Sequence, residues 1–333
     1  MTNTTTLPDV ILRSRGQALS RDENSFGFLA DSSAIRHDIP ALRERFAADG
    51  YLYLRGFFPR EAVLDARREV TDRLAAGGYL NLSFPAMDAV VADEGMKIVN
   101  ANSAFRPPAN TNGKPDPIKS YRADQLTHEN KPLNALLYSG ALLEFYREFL
   151  GGPVRHFNYT WFRVVSPGFG TPPHCDLVYM GRGTRKLYST WTPLGDVPLS
   201  IGGLMILENS HCNADRLGDY LNRDVDEYCT NGPLAKEIES GKRLFEWDGT
   251  LSQNPVELRE NLGGRWLTAQ EYRAGDILIF GMQTIHGSLD NQSNTIRISS
   301  DSRYQLASEP IDPRYIGENP VPYSVDFKRG RIC

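Results

Sequence analysis

The sequence predicts a mainly β protein, a double-sheet jelly roll with helices packed against it. Three observations carry that expectation. The first third of the chain has helical apolar spacing, and the part after Pro153 breaks into many short strand-like runs. Gly, Pro, Asn and Asp punctuate those runs, as expected where strands turn back into two facing sheets. With 333 residues, 40% of them hydrophobic, the chain can bury a large core. It shows no internal repeat or low-complexity tract, so one domain over 1–333 is expected.

The elements follow in order. Residues 1–20 are polar and aperiodic and predict a flexible arm. From Pro40 the run ALRERFAADG has helical spacing and stops at Gly50; YLYLRGF then reads as a strand and REAVLDARREVTDRLAA as a helix from Arg60 to Ala76. Residues 79–132 are rich in Asn and Pro and predict loops with short pieces of structure. A further helix from Leu133 to Leu150 should end at Gly151-Gly152-Pro153. Residues 40–150 thus form a helical N-terminal part, and 154–305 a β core. Its expected strands are VRHFNYTWFRVV, HCDLVYM, KLYSTWTPL, GGLMILENS, GRWLTA, GDILIFG, the stretch around His286, and TIRISSDSRYQ. A polar, partly helical insertion over 212–260 interrupts the series and could either fold over the barrel mouth as a lid or form a surface decoration or oligomer contact.

Composition excludes several classes of function. A net charge of −4 gives no basic footprint, so nucleic acid is not an expected partner. No apolar run reaches the roughly 18–20 residues of a membrane span. The opening MTNTTTLPDV has neither a basic nor an apolar leader region, and Cys175, Cys212, Cys229 and Cys333 form no CxxC or zinc spacing. A cytoplasmic protein with reduced thiols and a small-molecule substrate is the expectation.

The chemistry concentrates in a few residues. In Pro173-His174-Cys175-Asp176, a strand would put His174 and Asp176 on one face and Cys175 on the other. His286, after the buried strand GDILIFG, is the best third ligand. Two histidines and a carboxylate suit non-haem iron(II) and leave three positions open for a 2-oxo acid and dioxygen. Arg297 follows His286 by eleven positions on the next strand and could clamp a carboxylate with its planar fork. Ser299 shares the face of Arg297, and Ser288 that of His286. The loop Gly181-Arg-Gly-Thr-Arg-Lys186 reads as a solvated basic loop rather than a substrate contact, and Tyr159, Trp161 and Phe162 as core.

Together these segments resemble the phytanoyl-CoA dioxygenase family of iron(II)/2-oxoglutarate oxygenases over roughly Asp49 to Gln305. The resemblance runs through Asp49-Gly50-Tyr51, Leu54-Arg55-Gly56-Phe57, the HxD at 174–176, Trp191-Thr-Pro-Leu-Gly-Asp-Val197, Gly202 to His211, and GDILIFGMQTIHGSLDNQSNTIRISSDSRYQ. It implies a double-stranded β-helix, cupin-like core with iron(II) on His174, Asp176 and His286. By the same resemblance Arg297 binds the distal carboxylate of 2-oxoglutarate, Ser288 lies beside it, and Trp191 lines the cosubstrate pocket. Either Lys119 or Arg122 supplies a further basic group, and His211 belongs to a structural turn. Asn209 stands where the family often has Gly, and the 212–260 insertion is long. The related halogenases carry a small residue at the carboxylate position, so Asp176 implies oxygen transfer. The implied reaction is hydroxylation of a small metabolite, coupled to decarboxylation of 2-oxoglutarate to succinate with O2. The residues alone also fit a jelly-roll metal- or small-molecule-binding module, or a cupin-like isomerase without 2-oxoglutarate turnover.

Overall fold

The alternation of side chains along each strand decides the architecture. The computed structural model describes residues 10–92, 130–168, 170–228 and 247–317. Its strands are β1 (Arg13–Ser14), β2 (Gln17–Ala18), β3 (Phe26–Phe28), β4 (Tyr51–Leu54), β5 (Val154–His156), β6 (Trp161–Val165) and β7 (Tyr188–Pro193). They continue with β8 (Val197–Pro198), β9 (Leu204–Leu207), β10 (Trp266–Thr268), β11 (Glu271–Tyr272), β12 (Ile277–Gly281), β13 (His286–Ser288) and β14 (Arg297–Leu306). One sheet has the order β4-β12-β7-β14-β5, with β6 also on β14; a facing sheet has the order β13-β9-β10-β3.

On β4 and β12, Leu52, Leu54, Ile277 and Ile279 share one core with Val63, Val70, Leu137, Leu142 and Tyr146 of the helices. The alternate residues Tyr51, Tyr53, Leu278 and Phe280 pack instead against Leu204, Ile206 and Leu267 of the facing sheet. Helices therefore buttress the outer face of the large sheet, and the two inner faces enclose the barrel interior. This is the mainly β double-stranded β-helix, or jelly roll, with flanking helices. On β14 the outward residues Ile298 and Tyr304 join the helical core, so Arg297, Ser299, Asp301 and Arg303 fall on the inner face.

The helix Ile39–Asp49 begins on the Asp38 side chain, which accepts from Ala41 N at 3.1 Å, and ends at Gly50 with φ +75°. The His211 ring occupies the space a Cβ would need at Gly50, so only glycine fits that cap.

Three expectations are corrected. The helix predicted over Leu133–Leu150 is two helices, Lys131–Tyr138 and Gly140–Leu150, because Ser139 is extended and Gly140 takes φ +57°. HCDLVYM is not a strand: Asp176 adopts helical dihedrals and Leu177–Met180 forms a short helix. The arm expected over 1–20 is, from residue 10, a hairpin seated on the barrel. The Arg15 and Gly16 amides donate to the Asp290 carboxylate at 2.8 Å each, and Leu12 is buried. Positive φ at both turn residues aims the two amides at one carboxylate, a tie that depends on the fold bringing Asp290 there.

The described flanks of the 212–260 insertion pack under the HxD segment. Tyr220, Leu221 and Leu258 share a core with Cys175, Leu177 and Val178. Residues 229–246, where a lid would extend, lie outside the described residues.

Candidate metal centre

Two backbone hydrogen bonds bring the first pair of ligands together. His174 and His286 form a β-bridge, each amide donating to the other's carbonyl at 2.9 and 3.0 Å. The ring centroids lie 4.2 Å apart. Nδ1 of His174 is 2.8 Å from Pro172 O, and Nδ1 of His286 is 3.0 Å from Thr284 O. A carbonyl can only accept, so each Nδ1 carries the proton and each Nε2 keeps its lone pair for an ion. The turn after Cys175 swings Asp176 back, and Oδ1 comes within 3.7 Å of His286 Nε2. One donor atom from each of His174, Asp176 and His286 lies within 4.8 Å of the others, all from buried residues. The HxD spacing suggests a strand face; the fold assembles the trio through a bridge and a helical turn.

Electrostatics suit a divalent cation. Burial, helped by His286, pushes His174 down to about 3 and also lowers His286, so both rings are neutral near pH 7. Burial alone would raise Asp176. The Arg303 guanidinium, the two histidines and the Ser189 hydroxyl outweigh it and hold the carboxyl well below the usual range. Two neutral imidazoles and one carboxylate are the protonation states that such an ion requires.

Arg297 lies on the inner face and is 2% exposed. Its Nη1 donates to Gly202 O, while Nε has no partner. Asp301, the carboxylate that acts on it, is already paired with Arg163 at 2.9 Å. Burial, with Arg163 adding to it, pushes Arg297 down to about 10. A buried guanidinium whose neighbouring carboxylate is already paired, with the unpartnered Ser299 hydroxyl two residues away, could accept an anion. Trp191 packs edge-on to Tyr272 at 4.7 Å in the apolar part of the interior. The Ser288 hydroxyl accepts from Thr171 N at 2.8 Å and so fastens the loop that leads to His174.

Several residues escaped the sequence reading. Arg303 ion-pairs with Asp176 at 3.0 Å, and Ser189 donates to the same oxygen. The alternation that linked Arg297 to Ser299 could have been carried on to Asp301 and Arg303. Tyr220 gave no signal: its hydroxyl accepts from Cys175 N at 3.0 Å and donates to Gly249 O at 2.7 Å. That bond ties the insertion to the amide between two candidate ligands. His211 stands apart from the trio, with Nε2 3.3 Å from Ala47 O. In the basic loop, Arg182 pairs with Asp224 at 2.6 Å and Lys186 with Glu309 at 3.2 Å, as a solvated loop would. Lys119 and Arg122 lie outside the described residues.

The chain is similar to known proteins over most of its length. The profile of the phytanoyl-CoA dioxygenase (PhyH) family matches residues 46–299. The 1-deoxypentalenic acid 11-beta-hydroxylase of Streptomyces exfoliatus is 25% identical over 290 residues, covering 84% of this chain and 85% of that protein. The enzyme of the same name from Streptomyces arenae is 25% identical over 297 residues, covering 86% and 87%. Among solved structures, the epimerase SnoN in complex with Fe3+, alpha ketoglutarate and nogalamycin RO has the same fold. Its TM-score is 0.51 at 18% identity, over 89% of this chain and 97% of that one.

Proposed function

The chain belongs to the phytanoyl-CoA dioxygenase family, and from that premise we propose that His174, Asp176 and His286 hold iron(II) while Arg297 clamps 2-oxoglutarate. The reaction is hydroxylation of a small molecule with conversion of 2-oxoglutarate to succinate. The observation that carries the assignment is the buried trio of donors within 4.8 Å, facing the same interior as a buried guanidinium whose neighbouring carboxylate is already paired.

Bound there, iron(II) would supply activation of dioxygen with 2-oxoglutarate as co-reductant. The chain's own residues do the rest. Arg297 orients the cosubstrate by its distal carboxylate, with the Ser299 hydroxyl as a second donor. Trp191 and Tyr272 wall the apolar side of the pocket, and Ser288 keeps the loop before His174 in place through Thr171. Burial of the three ligands keeps water from the reacting centre. Asp176 fills the carboxylate position, which favours oxygen transfer over halogenation.

The substrate is read as a small organic metabolite, in keeping with the two related hydroxylases, which are named for 1-deoxypentalenic acid. The same reading takes 1–333 as one oxygenase domain in the cytoplasm. The free thiols of Cys175 and Cys212 support that location, and no described helix is long and apolar enough to cross a membrane.

The test is succinate formation from 2-oxoglutarate under air, with iron content measured alongside. His174→Ala, Asp176→Ala and His286→Ala should each abolish turnover and lower iron content, while His211→Ala keeps iron. Full iron content and turnover in His286→Ala would overturn the assignment. A binding module would form no succinate, and an isomerase would work without dioxygen.

A further inference from the structure

Asp176 is gripped on one oxygen and left bare on the other. Arg303 Nη2 lies 3.0 Å from Oδ2, and the Ser189 hydroxyl donates to the same atom. Oδ1 faces His286 Nε2 at 3.7 Å. The two donors are cross-strand neighbours: Arg303 on β14 is in register with Ser189 on β7, so the sheet itself sets their spacing. The guanidinium is also held from behind. Its Cζ lies 4.6 Å from the centre of the Trp161 ring, and the side chain is 1% exposed.

A carboxylate free at both oxygens can chelate a metal through both, and that would close one of the positions a cosubstrate or dioxygen needs. We propose that Arg303, with Ser189, is a positioning residue that keeps Asp176 monodentate, committing Oδ2 to the protein and presenting Oδ1 alone to the metal. This rests on the reading of His174, Asp176 and His286 as metal ligands. Arg303 touches neither cosubstrate nor substrate in this role; it acts through Asp176. The pair also answers the burial of both charges, since each alone would stand uncompensated inside the barrel.

The experiment loads the full chain with iron(II) without oxygen and titrates 2-oxoglutarate, following the charge-transfer absorption of the cosubstrate on the metal. Arg303→Lys keeps charge and donor, Arg303→Gln keeps a neutral donor, and Arg303→Met keeps only bulk. If Oδ2 must be held, Lys and Gln stay close to the unsubstituted protein. Met, saturated with iron, should lose apparent 2-oxoglutarate affinity by about ten- to a hundredfold, the range in which loss of a metal ligand's supporting partner lowers metal affinity or activity. Ser189→Ala, which removes the second donor to the same oxygen, should fall between. If Arg303 acts only through its charge, Gln falls with Met and the proposal is overturned; unchanged affinity in Met overturns it too. Should Met fail to fold, the Gln and Ser189→Ala titrations decide the matter in the same way. A metal-bound structure of the unsubstituted protein with both Asp176 oxygens on the ion would also refute it. If the unsubstituted protein gives no absorption with iron and 2-oxoglutarate, the metal assignment itself falls, which separates the two failures.

Discussion

Replacing Arg297 by methionine should weaken 2-oxoglutarate binding without costing stability. Arg297 is 2% exposed, donates to one carbonyl and leaves Nε unpartnered. Burial pushes it down from the ordinary arginine range to about 10, which corresponds to roughly 3 kcal/mol held against the charged form in the folded protein. An anion bound to it relieves that cost. Methionine removes the charge and keeps much of the volume, and exchanging a poorly compensated buried charge for an apolar side chain is commonly neutral or stabilising. The cosubstrate meanwhile loses charge-assisted contacts of about 1.5–3 kcal/mol, or roughly ten- to a hundredfold in affinity. Arg297→Lys, with charge but no planar fork, should fall between. The assay is a 2-oxoglutarate titration of iron-loaded protein, paired with thermal melts of the metal-free protein with and without cosubstrate. Undiminished 2-oxoglutarate affinity in Arg297→Met would refute the clamp. A melting temperature well below that of the unsubstituted protein would show that Arg297 already has its counter-charge in the fold.

Two further outcomes follow from the site. Tyr220→Phe strips the acceptor from the Cys175 amide and should cost about 1–3 kcal/mol in denaturant unfolding, with weaker metal binding; unchanged values in both would show that this tie from the insertion is dispensable. In metal-free protein, His174 has a folded pKa of about 3 against 6.5 unfolded, so the unfolded chain takes up the proton first. Stability is then full above about pH 6.5 and drains away as pH falls towards 3, and His174→Asn should flatten that slope in melts across the range.

Much of this protein was legible in its residues. Apolar spacing marked the helices at 39–49 and 60–76, short strand-like runs between Gly, Pro, Asn and Asp marked the core strands, and His174, Asp176, His286 and Arg297 stood out by type and order. Local signals of that kind are written within a few residues of where they act. Other features depend on contacts between distant segments. The HxD segment looks like a strand locally, yet the core shared with Tyr220 and Leu258 turns it into a helix start. The hairpin at 13–18 looks like a loose arm until Asp290, 274 residues beyond Gly16, supplies its acceptor. Arg303 looks like any strand arginine until the register of β14 on β7 sets it beside Ser189 and aims both at Asp176. The sequence by itself determined the fold class and which residues could bind a metal and an anion, because hydrophobic period and donor chemistry are properties of short segments. Which oxygen of Asp176 stays free, and which buried guanidinium finds its neighbouring carboxylate already paired, only the tertiary structure decided, because ion pairing in a closed barrel is settled by which strands become neighbours.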